Sequence, residues 1–577
     1  MKIFIARKLG LAEFTVTYFK FSQLKSKDGI ALYSCCAMLA KEHSLKFTNS
    51  VLSGKIFINK LQCIESSAQL YVAQRFYEDF LVYFNSVLTF EHLFEDVDSK
   101  LVLKLDKGLH AYLRSELGTQ KIKLKKEIID MQKLFRIFRF ALRLILLLFK
   151  SHLSWSIDSK CEKNRILINL KNHEIFSNIW QHYRSQLFWL DVDATERVTL
   201  LIDKRSKNYI SLQEYGDFIV TKKTRIRRLS LLQGVQQNFK TEIAKKFRIR
   251  QGLFFAIKFG DLVLNFMETV ECYNKLVEAG HFEWHVYEEP SDLSTHAFNA
   301  LASLGKIQTL QIQYSNLRMQ SLLMLSNPTI LLAFSKQYEK LFCYPLYSIG
   351  PDKVVPIGYR HPVSTLKMRK RAIALKSELN DRGVSFIIGY FDENTSQGRF
   401  SPYNNQDYLD NLHKLCEYVI NFDNCAVVLK NQFISKLPNK LFPMDPLISA
   451  AIATGRFIFP SIGVHRNVIK PSEIGMICDI TIGLAFGATA SLESVLTGTP
   501  SILIDTENNL SEKYIVNYPN NLVFRDMNTA LNAVSGLREN NNLYRELGNW
   551  DKFIGRVLID KDLTSVSKIR QILDYKL

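Results

Sequence analysis

From about residue 160 onward, short apolar runs alternate with segments of helical spacing, and this alternation limits the fold more than any other feature of the chain. RILINL (165–170), RVTLLID (197–203), DFIV (217–220), WHVYEE (284–289), TLQIQY (309–314) and TILLAFS (329–335) read as buried strands. A helix is predicted from Ser294 to Leu304, closed by Gly305 before the next strand. The same grammar restarts at VSFIIGYF (384–391), followed by a helix near 405–420 and by strands at CAVVLK (425–430), RFIFP (456–460), DITIGLA (479–485) and PSILID (500–505). The fold class expected is therefore α/β, with two Rossmann-like domains, 161–365 and 384–577, and a cleft between the carboxyl ends of their strands. The charged stretch KMRKRAIALKSELNDRG places an inter-domain linker over 366–383.

Residues 1–160 read as an N-terminal extension that is partly helical and basic: a strand-like opening, helical text such as FYEDFLVYFNSVLTFEHLF, then KIKLKKEIIDMQKLFRIFRFALRLILLLFK over 121–150. In that last stretch Arg136, Arg139, Arg143 and Lys150 recur at offsets that share one helical stripe, with Leu, Ile and Phe around the rest. Such a helix suits either an anionic membrane surface or a core with solvated arginines. Charge agrees with a localised anionic contact: residues 101–250 hold 31 basic and 14 acidic side chains, whereas 384–577 hold 18 and 20. Since the arginines interrupt the apolar run, no segment spans a bilayer. Nine cysteines without CxxC or metal-like spacing read as reduced thiols, and MKIFIARKLG is too short in apolar residues for a secretory signal. The expected location is cytoplasmic, peripheral at the inner face of the membrane.

The text richest in chemistry is DITIGLAFGATASLESVLTGTPSILID, 479–505. An apolar strand enters a loop of small residues, Gly487, Ala488, Thr489, Ala490 and Ser491, and a helix follows whose free N–H groups and dipole favour phosphate. Glu493, early in that helix, is placed to accept hydrogen bonds from a diol such as a ribose. This succession, with G-x-P before the next strand, resembles the donor half of GT-B glycosyltransferases of the bacterial surface-polysaccharide type. The resemblance implies that Thr489, Ala490 and Ser491 contact donor phosphate and that Glu493 holds the nucleotide ribose. It further implies a phosphate-facing Lys430 at the end of CAVVLK, and DKDLTSVSKIRQIL resembles the closing helix of such enzymes. FGATAS departs from the paired serines or glycines more usual in the family.

On the acceptor side, WHVYEEPSDLSTHAF offers Glu288, Glu289, Asp292 and His296 as candidate bases, Glu289 foremost because the residue before Pro290 is held extended. Gln313, Tyr314, Ser315 and Asn316, after the next strand, are expected to border the cleft, faced by Asn394, Thr395, Ser396 and Gly398 from the second unit. His465 and Arg466 are further candidates for base or phosphate contact, and Asp392 is a reserve candidate for the base.

The function expected is transfer of a sugar from a nucleotide-activated donor to a glycan or lipid-linked glycan, including the version with a CMP-activated acidic sugar of the Kdo or nonulosonate type. No metal and no resident cofactor is expected, because the nucleotide-sugar is consumed as a substrate, and no nucleic-acid partner. Alternatives are a nucleotide-sugar epimerase or polyol-phosphate transferase of the same fold. From a different class comes a non-catalytic membrane or nucleic-acid binder built on 121–150, TKKTRIRRLS and AKKFRIR.

Overall fold

The structure is a computed structural model. It describes residues 2–7, 10–15, 32–52, 65–93, 100–103, 122–124, 152–158, 166–169, 198–203, 218–226, 253–313, 315, 320–359, 366–392, 405–430, 445–459, 469–485, 488–505, 521–539, 542, 546–550 and 564–573.

At the N-terminus, β1 (Lys2–Arg7), β2 (Gly10–Thr15), β3 (Lys100–Leu103) and β4 (Ile122–Leu124) form a four-stranded sheet in the order β2-β1-β3-β4. Between β2 and β3 lie two long helices, α1 (Leu32–Leu52) and α2 (Glu65–Leu93). The expected basic helix over 121–150 does not begin as one, since Ile122–Leu124 pairs parallel with β3. Alternating Lys and aliphatic residues in KIKL suit a strand, which buries every second side chain, as well as they suit a helix start. Arg136, Arg139, Arg143 and Lys150 lie outside the described residues.

The first α/β unit has β5 (His152–Asp158), β6 (Ile166–Asn169), β7 (Val198–Asp203), β8 (Phe218–Ile226), β9 (Trp284–Tyr287), β10 (Gln308–Ile312), β11 (Ile330–Ala333) and β12 (Lys353–Pro356). Their order is β12-β11-β10-β9-β6-β7-β8-β5, all parallel except the edge strand β5, antiparallel to β8. Within β6–β11 this is the doubly wound order, with its switch point between β6 and β9. The helices α3 (Leu253–Gly280) and α4 (Leu293–Ser303) connect into this sheet, and α2 packs on both. β9 stops at Tyr287, short of the expected strand end at 289, so Glu288 and Glu289 fall beyond the ladder ahead of a proline that cannot donate to it. TKKTRI, weighed above as phosphate-contacting text, lies in β8 paired with β5.

The expected linker is a helix, α5 (Leu366–Asp381), not a polar connector. Ala372 and Leu379 are buried beneath β13 (Phe386–Phe391), and the Arg371 guanidinium meets the buried Glu473 carboxylate. Its charges hid a stripe of apolar residues at helical spacing.

The second unit continues with α6 (Asn405–Asn421), β14 (Cys425–Lys430), α7 (Pro446–Ala453), β15 (Phe457–Ile458), α8 (Pro471–Ile477), β16 (Ile480–Leu484), α9 (Thr489–Leu496), β17 (Ser501–Ile504), β18 (Val523–Phe524) and α10 (Met527–Arg538). The sheet is wholly parallel in the order β15-β14-β13-β16-β17-β18. Its near-continuous apolar strands are what a parallel sheet covered on both faces requires. The chain is thus an α/β protein with two Rossmann-like units and a helical N-terminal extension, as the sequence led us to expect.

Candidate functional site

The described part of the FGATAS text, Ala488–Ser491, sits at the switch point of the second sheet, where α9 follows β16 beside β13. Ligands of open α/β sheets bind at this point, because the two crossovers diverge there and leave a crevice at the strand ends. Gly483 is required by packing: a Cβ there would collide with Ser491 Oγ, so its absence brings α9 close onto β16. Ala488, which precedes the helix, holds a left-handed backbone at φ 52°. That conformation costs an L-residue about 1–2 kcal/mol, and such strain gathers at ligand-binding turns.

Thr489 and Ala490 are half-buried at the head of α9 and are open to a ligand. Ser491 is not: its side chain is enclosed against Gly483, so only its backbone could meet a phosphate. Glu493 is also enclosed, and the Tyr359 hydroxyl of the first unit donates a 2.7 Å hydrogen bond to its Oε1. A ribose would have to take the place of Tyr359 to reach that carboxylate. Lys430 is half-buried at the end of β14. Gly487, His465, Arg466, Tyr314, Asn316, Asn394, Thr395, Ser396 and Gly398 lie outside the described residues.

From the first unit, Glu288, Glu289 and Asp292 follow β9 at that sheet's own switch point. Glu288 is buried, whereas Glu289 and Asp292 are partly exposed. Glu289 is held in place by its neighbours: Ser291 Oγ donates to its carboxylate at 2.9 Å, and Thr295 Oγ1 donates to its carbonyl at 2.8 Å. His296 has no exposed surface, which takes it out of the cleft. Burial holds its imidazole neutral, with the pKa pushed down to about 3 and the nearby Arg75 charge acting the same way. A neutral ring facing Gln74 Oε1 at 2.7 Å must carry its proton on Nε2. Helical position alone could not show that α2 covers this ring. Gln313 is likewise a brace and not a cleft group: it is buried, it accepts from the Phe334 N–H at 2.9 Å, and its amide donates to the Ser315 carbonyl at 2.8 Å.

The two units meet through these same strand ends. Ser315 Oγ lies 3.5 Å from Thr489 Oγ1. Beside them one apolar cluster joins Ala333, Phe334, Tyr338 and Tyr359 to Ala485, Ala488 and Leu492. Sequence reading missed Phe334, Tyr338 and Tyr359, although Gly358, at φ 79° just past β12, marks a turn that aims Tyr359. It also missed Gln74 and Arg75 of α2. Gln74 donates to the Leu322 and Leu325 carbonyls at 2.9 and 3.0 Å, and Arg75 donates to the Ser291 carbonyl at 3.2 Å.

No known family profile matches the sequence, and no curated protein matches it. Among solved structures the chain is similar to the wall teichoic acid polymerase TagF, at 12% identity over 78% of this chain and 98% of that one, with a TM-score of 0.39. It is similar to a glycosyltransferase from Rickettsia africae, at 13% identity over 72% and 98%, TM-score 0.37. A third is the UDP-GlcNAc 2-epimerase from Neisseria meningitidis bound to UDP-GlcNAc, at 11% identity over 72% and 100%, TM-score 0.40.

Proposed function

We propose that the protein transfers a sugar from a nucleotide-activated donor to a glycan or lipid-linked glycan. The observation that carries this reading is the placement of Ala488–Ser491 at the switch point of a doubly wound sheet, with Thr489 Oγ1 3.5 Å from Ser315 Oγ at the strand ends of a second sheet of like order. In this reading the first-turn N–H groups of α9, Thr489 and Lys430 hold the donor diphosphate or phosphate, and Glu493 takes the ribose once Tyr359 withdraws. Glu289 removes the acceptor hydroxyl proton: it is a partly exposed carboxylate at the opposite switch point, with Ser291 Oγ donating to its Oε1 and Thr295 Oγ1 to its backbone carbonyl. No metal is assigned a role in the reading.

Titrating UDP, GDP and CMP calorimetrically into the full chain tests it. Saturation of one site by one nucleotide, weakened by Lys430→Ala more at low salt than at high salt, is expected. Salt-sensitive binding to any polyanion, with no saturable nucleotide site, overturns it. A following incubation with the matching nucleotide-sugar separates transfer from epimerisation, since only the latter leaves the sugar on the nucleotide.

A further inference from the structure

The turn that carries Glu289 is tied to helix α2 of the N-terminal extension, 216 residues away in the chain. After Tyr287 the backbone leaves the β9 ladder, and Pro290 has no N–H with which to rejoin it. The orientation of residues 288–292 is therefore set by individual contacts and not by a strand ladder. Thr295 Oγ1 of α4 donates to the Glu289 carbonyl at 2.8 Å, and Ser291 Oγ donates to Glu289 Oε1 at 2.9 Å. Ser291 is itself anchored from outside the unit, because Arg75 Nη2 donates to its carbonyl at 3.2 Å. One residue thus receives the tie from α2 through its backbone and passes it to the Glu289 carboxylate through its hydroxyl.

Arg75 belongs to a larger grip. Its guanidinium lies 5.3 Å from the centre of the Tyr71 ring, one turn earlier, and that ring packs against His296 of α4 at 5.8 Å and stacks on Phe266 of α3 at 5.9 Å. Gln74 accepts from His296 Nε2 at 2.7 Å and donates to the Leu322 and Leu325 carbonyls. Gln74 and Arg75 follow Tyr71 at helical spacing, so the three share one side of α2, which clasps the start of α4 and the turn before it. The Arg75 bond is exposed to solvent, so its loss should cost little stability. What it fixes is direction, and rate falls steeply when a catalytic group is displaced.

We propose that Arg75 is a positioning residue for the acceptor side of the transfer cleft: it holds the 288–292 turn through Ser291 and so aims the Glu289 carboxylate, an inference that rests on the reading of Glu289 as the base. In this role Arg75 touches neither donor nor acceptor. The N-terminal extension then completes the acceptor side and is not an appendage to it.

The test uses the full chain with Arg75→Ala, Arg75→Lys, Ser291→Ala and Glu289→Gln, with thermal melts to confirm folding. Hydrogen exchange over 288–296 reads the turn by itself. It should rise about tenfold in Arg75→Ala while β10 and β13 exchange as before, and return towards the original rate in Arg75→Lys, whose ammonium can still donate to the Ser291 carbonyl. Release of nucleotide from UDP-, GDP- and CMP-sugars, over a mixture of oligosaccharides, reads the aim. There kcat should fall about tenfold in Arg75→Ala and in Ser291→Ala with the donor KM unchanged, Arg75→Lys should restore most of it, and the double variant should be no slower than either single one, since both break the same tie. An unchanged turn in Arg75→Ala, an unchanged kcat beside a slow Glu289→Gln, or additive losses in the double variant overturn this proposal alone. Full turnover by Glu289→Gln overturns the base reading and the part assigned to Arg75 with it, and no nucleotide release from any of these sugars overturns the transfer reading on which both stand.

Discussion

The two α/β units share a strand order but treat buried polarity differently. Around β9 the first encloses a neutral network, although Glu268, Glu271 and Glu288 are buried in the same unit: His285 and His296 are fully enclosed, and Tyr287 donates to Asn299 at 3.2 Å within a network that includes Ser326 and Gln311. Burial pushes both histidines down to about 3 and the Tyr287 hydroxyl up. The second unit buries the Glu473 and Glu493 carboxylates against donors. Glu473 meets Arg371 and the Lys470 N–H, Glu493 meets Tyr359, and the partly exposed Asp445 caps α7 while facing His413 Nε2 at 2.6 Å. A neutral network can be closed by packing another element over it, which α2 does here. A buried charge needs a matched partner, so its environment is set residue by residue.

The largest effect should separate chemistry from binding. Glu289→Gln is expected to lower transfer about 10²–10⁴-fold with donor affinity unchanged, measured as turnover beside nucleotide titration. Equal turnover would move the base to Asp292 or Asp392.

Next comes the α2 seal. Gln74→Ala removes donors from two carbonyls and the acceptor facing His296, and should cost about 3 kcal/mol in denaturant melts. A loss below about 1 kcal/mol would mean that α2 rests on the first unit without being part of it.

Acid should distinguish the units. The folded pKa of His285 and His296 lies below the ordinary value, so between about pH 6.5 and 3 the unfolded chain binds protons that the folded chain refuses. Stability therefore falls as pH drops, by about 1.4 kcal/mol per histidine for each pH unit in that window. From pH 7 to 5.5 the first unit should lose about 2.5 kcal/mol, followed by hydrogen exchange at β9 and β10. Asp445 shifts in the same sense but from the lower carboxylate range, so its window lies in stronger acid. Its carboxyl is held below the usual range, through the His413 and α7 N–H bonds and against the effect of burial. Its contribution persists above the ordinary carboxylate pKa and is lost only in stronger acid. Early opening at α7 in place of β9 would reverse the comparison.

Smaller changes probe the junction. Tyr359→Phe should cost about 2 kcal/mol of stability while strengthening nucleotide binding, because Glu493 is released. Weaker nucleotide binding would mean that Tyr359 supports the donor site. Ala488→Gly sets relief of about 1–2 kcal/mol of left-handed strain against an unfolded-state entropy cost of about 0.4–1 kcal/mol, for a net gain of about 0–1.6 kcal/mol by thermal melting.

Strand runs such as CAVVLK and TLLID were legible because a parallel strand covered on both faces must be apolar along its length, and that is a local property. So was the small residue Gly483, whose missing side chain lets Ser491 of α9 pack close onto β16. Burial at single positions was not legible. His296, Gln313, Ser491 and Glu493 stand in text that fits exposed loops or helix starts equally well. Whether such a side chain meets solvent depends on what long-range contact lays over it: α2, 222 residues away in the case of His296, and Tyr359, 134 residues from Glu493. The same holds for α5, whose charges read as a linker until Glu473 and Asp479 were brought beside Arg371 and Lys376. The pattern of the chain by itself determined the two sheets and the loop that joins strand to helix. Only the tertiary structure decided which polar groups face the cleft, because desolvation and pairing are properties of neighbours that the sequence holds far apart.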